Sequence, residues 1–187
     1  MRIISGNLGG LKVNPPSKMP HTRPTTDIAK EGLFNIIQNN LDIEGMHTLD
    51  LFGGTGSISY ELASRGATQL ILVEKDPAMY EFIKKNIERF DIKHCRVVKM
   101  DVFKFIEQCS DTFDLIFAGP PYALTNIDDL PKLIIDRKLL KPGAWFILEH
   151  TPRNDYKSFP GYVTERNYGT TIFSIFINRD GTGKNEE

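Results

Sequence analysis

Apolar runs alternate with amphipathic stretches along most of the chain. Short runs rich in β-branched and aromatic residues predict strands, and the amphipathic stretches between them predict helices. The predicted strands are His47–Phe52, Gln69–Glu74, Cys95–Lys99, Phe113–Ala118 and Ala144–His150, and the predicted helical segments are Gly56–Ser64, Pro77–Phe90, a short turn near Val102–Glu107, and Ile127–Asp136. This alternation is typical of a parallel sheet covered by helices on both faces.

The C-terminal part of the chain adds an edge to this sheet. Runs over Tyr162–Tyr168 and Thr170–Asn178, joined at Gly169, predict an antiparallel hairpin. We therefore expect an α/β fold. The expected fold is Rossmann-like, with a mostly parallel seven-stranded sheet, an antiparallel edge hairpin and helices on both faces.

The N-terminal part predicts a small extension. Arg2–Ser5 and Leu11–Val13 predict a hairpin around a glycine-rich turn, and a helix runs from an N-cap at Thr26 or Asp27 to about Asn39. We expect residues 1–40 to form this extension, residues 41–178 the main domain and residues 179–187 a frayed tail.

Composition favours one globular domain in a reducing compartment. The chain has 187 residues, of which 40% are hydrophobic and 25% charged, values that are ordinary for such a domain. No apolar run reaches the ~18 residues of a membrane span, and no secretory leader is recognisable. The two cysteines, Cys95 and Cys109, lack metal-type spacing. We expect a cytoplasmic monomer without a metal or a membrane partner.

Charge is distributed unevenly. Residues 1–25 carry a charge of +4 and contain no Asp or Glu, whereas the other 162 residues carry −5. The four basic residues are Arg2, Lys12, Lys18 and Arg23. A basic arm on a mildly acidic body predicts a nucleic-acid partner. A solvated, flexible N-terminus is the alternative.

The most informative segment follows the first predicted strand of the main domain. It is the glycine-rich loop Gly53-Gly54-Thr55-Gly56, which leads into a helix. Such a strand–loop–helix unit is typical of a nucleotide-like ligand site. The dinucleotide fingerprint G-x-G-x-x-G would require a third glycine where Ser59 stands, so an NAD site is a poor match.

Acidic residues stand at or near the ends of three successive predicted strands. The pattern Asp-Leu-Phe-x-Gly-x-Gly, beginning at Asp50, resembles the first motif of class I S-adenosylmethionine-dependent methyltransferases. That resemblance implies that Asp50 faces the methionine end of the cofactor, that Glu74 accepts the ribose hydroxyls and that Asp101 meets the adenine amine. The implied cofactor residues are Asp50, Phe52, Gly53, Gly54, Gly56, Glu74, Lys75, Asp101 and Val102. Alternatively, Asp50 stabilises the loop, Glu74 is solvated and Asp101 caps the next helix.

The catalytic candidates follow the fourth predicted strand. Gly119-Pro120-Pro121-Tyr122 resembles the Asp/Asn-Pro-Pro-Tyr/Phe motif of methyltransferases that modify exocyclic amines of bases. The prolines make a rigid wall, Tyr122 can stack on a base, and backbone carbonyls can accept the amine N–H bonds. Catalysis would then be mainly positioning, and the base must leave its stack.

Gly119 departs from that motif, because the family has a side-chain acceptor there. A hydrogen bond to a charged group contributes about 1.5–3 kcal/mol, or roughly 10–100-fold in rate. Three interpretations follow: a slowed enzyme, an inactive binder or an introduced substitution. A plain Pro-Pro turn after a core strand is the alternative without function.

From Met1 to about Asn178 the chain resembles the bacterial 16S rRNA guanine-N2 methyltransferase family (RsmD type). The matching segments are Met1–Gly6, Thr22–Thr25, Glu31–Ile36, Asp50–Gly56, Ser64–Ala67, Val73–Asp76 and Phe113–Phe117. The resemblance implies S-adenosylmethionine as methyl donor and a guanine of 16S rRNA as acceptor, in the 30S subunit or an assembly intermediate. It also implies an N-terminal hairpin that helps to hold RNA.

Two other functions remain open at this point. The Pro-Pro-Tyr segment also fits a DNA adenine-N6 methyltransferase, although the chain has no room for a separate target-recognition domain. Gly119 also fits a catalytically silent RNA-binding or assembly protein.

Overall fold

The computed structural model describes residues 1–19 and 24–180, which contain five helices and seven strands. The helices are α1 (Asp27–Asn40), α2 (Ser57–Ser64), α3 (Pro77–Arg89), α4 (Val102–Gln108) and α5 (Asp129–Asp136); the strands are β1 (His47–Leu51), β2 (Gln69–Val73), β3 (Cys95–Val98), β4 (Phe113–Ala118), β5 (Leu140–His150), β6 (Tyr162–Tyr168) and β7 (Thr171–Ile177). Within these ranges, none of the helices is long and apolar enough to cross a bilayer.

The seven strands form one sheet in the order β3-β2-β1-β4-β5-β7-β6. Neighbours among the first five strands are parallel, and β7 runs antiparallel to both β5 and β6. The predicted fold class is confirmed, including the edge hairpin. Between β1 and β4 the strand order reverses direction, and in open α/β sheets that point is where ligands bind.

Alternate residues of the central strands supply two separate cores. Ile116 and Ala118 of β4 pack on one face with α4 and α5, and Leu115 and Phe117 pack on the other face with α1 and α2. Because every second side chain of a strand points to the same face, continuous apolar runs fill both sides of the sheet. The apolar runs of the sequence therefore mark strands that are buried on both faces.

Several boundaries differ from the predictions. The strands β1, β2 and β3 each end one residue early, and Phe52 has a positive φ of 69° that is incompatible with a continuing strand. β5 begins at Leu140 instead of Ala144, because a register shift opposite β4 accommodates an irregular stretch that includes Gly143. The expected turn after residue 101 is the seven-residue helix α4.

The N-terminal hairpin is shorter than predicted. The two arms share a single antiparallel bridge, between Arg2 and Lys12, with Ile3 N–H donating to the Leu11 carbonyl at 2.9 Å. The turn itself packs on the end of α2: a Cβ atom on Gly6, at φ +81°, would lie 1.9 Å from the Ser64 carbonyl oxygen. Only glycine fits this approach.

A buried ionic cluster of Lys30, Glu61 and Arg65 fastens the hairpin to the main domain. The Glu61 carboxylate accepts the backbone N–H groups of Ile4 at 2.9 Å and Ser5 at 3.0 Å. It also pairs with Lys30 at 3.3 Å and with Arg65 at 2.9 Å, and all three side chains are at most 4% exposed. We call these three residues the hairpin anchor.

Candidate active site

A cavity of about 760 Å³ opens at the carboxyl ends of β1, β2 and β4. Twelve of the thirteen residues predicted for cofactor binding and catalysis line it, namely Asp50, Phe52, Gly53, Gly54, Glu74, Lys75, Asp101, Val102, Gly119, Pro120, Pro121 and Tyr122. Gly56 is the exception. It is the N-cap of α2 at φ +81°, and a Cβ there would lie 2.4 Å from the Tyr60 ring. The glycine at this position is therefore required by the start of the helix.

Glu74 holds the glycine loop. Its Oε2 accepts the Gly54 N–H at 2.8 Å, and its Oε1 accepts the Asp76 N–H at 2.8 Å. Each carboxylate oxygen has a second lone pair, so Glu74 can hold the loop and still accept hydroxyl groups. The positive φ values of Phe52 (69°) and Gly54 (56°) show that the loop departs sharply from the strand.

Asp50 lies at the floor of the cavity with one carboxylate oxygen unsatisfied. The side chain is 2% exposed, and Oδ2 accepts the Ser59 hydroxyl at 2.9 Å. Oδ1 is buried and finds no hydrogen-bond partner among the described residues. Burial raises the pKa of Asp50 well above its ordinary value, and the nearby carboxylates of Glu74 and Glu149 add to the rise.

Replacing Asp50 by asparagine is expected to change the pH dependence of stability. Because the pKa of Asp50 is raised in the folded state, the folded protein binds this proton more tightly than the unfolded chain does. The free energy of unfolding contributed by Asp50 therefore falls as pH rises above its unfolded pKa, near 3.9. In urea unfolding between pH 4.5 and 8, the free energy of unfolding of Asp50→Asn should increase with pH relative to that of the unsubstituted protein. A relative loss would contradict the buried environment of Asp50.

The position of Asp101 agrees with both roles considered for it, the cap of the next helix and a contact to the cofactor. Its Oδ1 accepts the backbone N–H groups of Phe103 at 2.9 Å and Lys104 at 3.4 Å, which makes it the N-cap of α4. It also lines the cavity, beside Met100 and Val102. The cap fixes the carboxylate at the rim, where a ligand in the cavity can reach it.

Glu149 lines the cavity and was not among the predicted residues. It lies near the end of β5, is 8% exposed, and its Oε2 accepts the Thr25 hydroxyl at 2.8 Å. A Cβ atom on Gly119 would lie 3.5 Å from that same Oε2. No motif marks Glu149. The available signal was its position at the end of the strand after β4, in the run that ends Leu148-Glu149-His150.

Three of the predicted RNA-binding residues, Arg2, Lys12 and Lys18, lie outside the cavity. Arg2 is exposed and lies 3.8 Å from Asp27, while Lys12 and Lys18 are exposed. Arg23 lies outside the described residues. Met19 and Pro24 both line the cavity.

Metal ligands and reactive thiols are not found in the part of the chain that the structure describes. Within residues 1–19 and 24–180, no three His, Cys, Asp or Glu residues gather as a metal site. Burial raises the pKa of the Cys95 thiol to about 12 and also raises that of Cys109. Both thiols are therefore protonated near neutral pH and weakly nucleophilic.

The sheet order, the glycine loop at the switch point and the Pro-Pro-Tyr wall together define a methyltransferase of the Rossmann-like class. The chain belongs to the family described as Conserved hypothetical protein 95, whose model matches residues 1–177.

Three comparisons place the chain among known proteins. It is 30% identical to Ribosomal RNA small subunit methyltransferase D of Escherichia coli, over 86% of this chain and 79% of that protein. The structure of Escherichia coli yhhF, described as a candidate methyltransferase, is 26% identical with a TM-score of 0.82, covering 95% of this chain and 97% of that one.

A Thermus thermophilus 16S rRNA N2 methyltransferase, solved with AdoMet and guanosine, shares the fold at 23% identity and a TM-score of 0.67. It covers 83% of this chain and 44% of that one. Together with the family match, these findings confirm the predicted RsmD-type family and the predicted enzyme class, a methyltransferase.

Proposed function

We propose that this protein transfers a methyl group from S-adenosylmethionine to the exocyclic N2 amine of a guanine in 16S rRNA. The observation that carries the proposal is the cavity at the switch point, which joins the glycine loop after β1 to the Pro-Pro-Tyr segment after β4. The name of the Escherichia coli relative supports ribosomal RNA of the small subunit as substrate.

The residues of the cavity fit the proposed methyl donor. Asp50 Oδ1, buried and without a partner in the described chain, suits a cationic group such as the donor's ammonium. Glu74 suits the ribose hydroxyls, and Asp101 suits the adenine amine at the rim. When bound, the donor supplies an electrophilic methyl group on a sulfonium. Gly53 and Gly54, without Cβ atoms, allow the backbone to approach it closely.

The Pro-Pro-Tyr wall suits a flat base. Pro120 is buried, and the Leu124 N–H closes a tight turn on the Pro121 carbonyl at 2.9 Å. Tyr122 is 44% exposed and lines the cavity, so its ring can stack on an extruded base. These residues would hold the base at a fixed angle to the donor methyl, and such positioning is the main source of rate for a neutral nucleophile.

The N-terminal extension, residues 1–40, is the proposed RNA contact. The exposed Arg2, Lys12 and Lys18 would bind phosphates and supply affinity with little sequence information. We include Arg23 in this set because its charge belongs to the same acid-free segment. The proposed partner is 16S rRNA in the 30S subunit or an assembly intermediate, met by a cytoplasmic monomer.

The test is transfer of tritiated methyl from S-adenosylmethionine to three acceptors: 30S subunits lacking the modification, free 16S rRNA from the same strain, and duplex DNA. Transfer to one or both ribosomal acceptors and none to DNA is the expected result. Transfer to DNA alone would show a DNA methyltransferase. Binding of donor and RNA without transfer would show a silent assembly protein. Either of the last two outcomes refutes the proposal.

A further inference from the structure

Gly119 leaves a space beside a carboxylate. A Cβ atom there would lie 3.5 Å from Glu149 Oε2 and 3.1 Å from the Phe117 ring. The φ of Gly119 lies outside the left-handed region, so the backbone does not require glycine. A side chain at position 119 would therefore enter space bordered by the Glu149 carboxylate, with a small shift of Phe117.

Glu149 is held in place next to that space. In the parallel pairing of β4 with β5, Ala118 is opposite Leu148, which brings Glu149 beside Gly119. On its other side, Glu149 pairs with Phe173 of β7. The Thr25 hydroxyl donates to Oε2 at 2.8 Å, and the side chain is 8% exposed while it lines the cavity. The carboxylate is thus largely desolvated and held by the Thr25 hydroxyl, and its backbone is fixed by strand pairing on both sides, as preorganised catalytic groups require.

We propose that the Glu149 carboxylate is the hydrogen-bond acceptor for the substrate amine, in place of the side chain that Gly119 lacks. This inference rests on the proposed function. One N–H bond of the amine would be accepted by a backbone carbonyl of the Gly119-Pro120 segment and the other by Glu149. A hydrogen bond to a charged acceptor is about twice as strong as one to a neutral acceptor. The carboxylate can therefore replace the side-chain acceptor that a glycine cannot provide.

Glu149 can also accept the proton that methyl transfer releases. The amine lone pair forms the new N–C bond, and the C–S bond breaks with its electron pair remaining on sulfur. The N–H proton, acidified as the nitrogen becomes cationic, passes to the Glu149 carboxylate and from there to solvent. Asp50 is less suited to this step, because it lies at the end of β1, on the donor side of the cavity.

The experiment compares four variants with the unsubstituted protein: Glu149→Gln, Gly119→Asp, the double variant, and Glu88→Gln as a matched control on the exposed face of α3. The readouts are kcat for methyl transfer to 30S subunits and the Kd of S-adenosylmethionine by calorimetry. We expect Glu149→Gln to lower kcat by roughly 10–100-fold with the donor Kd unchanged. Glu88→Gln should change neither.

Rescue separates the proposed role from a structural one. An aspartate at position 119 enters the same space, so the kcat of the double variant should be at least about tenfold higher than that of Glu149→Gln alone. The inference is refuted if Glu149→Gln retains full kcat, or if Gly119→Asp fails to rescue it. An unsubstituted protein that binds donor and RNA but transfers nothing refutes the proposed function, and this inference with it. Transfer undiminished by Glu149→Gln refutes this inference alone.

Discussion

Glu61→Gln is expected to lower the free energy of unfolding by about 3 kcal/mol or more. The substitution removes the single anion of the hairpin anchor and leaves Lys30 and Arg65 as buried cations, and such losses typically cost ~3–5 kcal/mol. It also weakens the acceptor for the backbone N–H groups of Ile4 and Ser5. For a domain of this size we expect the melting temperature to fall by roughly 6–12 °C.

The matched control is Glu88→Gln, which makes the same chemical change on the exposed face of α3. Its free energy of unfolding should stay within ~0.5 kcal/mol of that of the unsubstituted protein. Hydrogen exchange adds a local readout, because the N–H groups of Ile4 and Ser5 should lose protection in Glu61→Gln. If both variants unfold at the same denaturant concentration, the hairpin is not held by this cluster.

Glu74→Ala is expected to weaken S-adenosylmethionine binding by about 100-fold. Two charge-assisted hydrogen bonds to ribose hydroxyls would be lost, at ~1.5–3 kcal/mol each, although water would recover part of this. The glycine loop would also lose its clamp, because the N–H groups of Gly54 and Asp76 both donate to Glu74. Glu74→Gln keeps one acceptor oxygen and should lose only about tenfold. Calorimetry measures both.

A ribose-modified ligand distinguishes donor binding from loop support. S-adenosylhomocysteine lacking the 2′-hydroxyl should bind the unsubstituted protein about tenfold more weakly than the parent compound, whereas Glu74→Ala should bind the two nearly equally. A full tenfold difference in Glu74→Ala would show that Glu74 acts on the loop and does not contact the ribose.

The central strands of the sheet could be predicted because each of them coincides with a local run of mostly apolar residues in the sequence. Phe113–Ala118 and the runs like it are largely buried on both faces, so most of their residues are apolar and no long-range information is needed to recognise the strand. The exact strand ends could not be predicted in this way. Phe52 is an aromatic residue with strong β propensity, and only the turn into the glycine loop gives it a positive φ.

The long-range contacts of the site show where prediction from sequence stops. The acidic residues at the ends of β1 and β2 could be predicted because they stand at fixed distances from the glycine loop. Glu149 stands thirty residues beyond Gly119, and only the pairing of β4 with β5 brings the two together. In the hairpin anchor, Lys30 falls on the apolar face of α1, which was a signal, but its partner Glu61 lies on another helix.

Identifying the methylated nucleoside tests the proposed methylation of guanine N2 most directly. Ribosomal RNA from 30S subunits treated with the protein and tritiated S-adenosylmethionine is digested to nucleosides, which are separated and identified by mass spectrometry. The proposed function predicts that the label elutes with N2-methylguanosine. Label in N6-methyladenosine, or on a guanine atom other than N2, would contradict it.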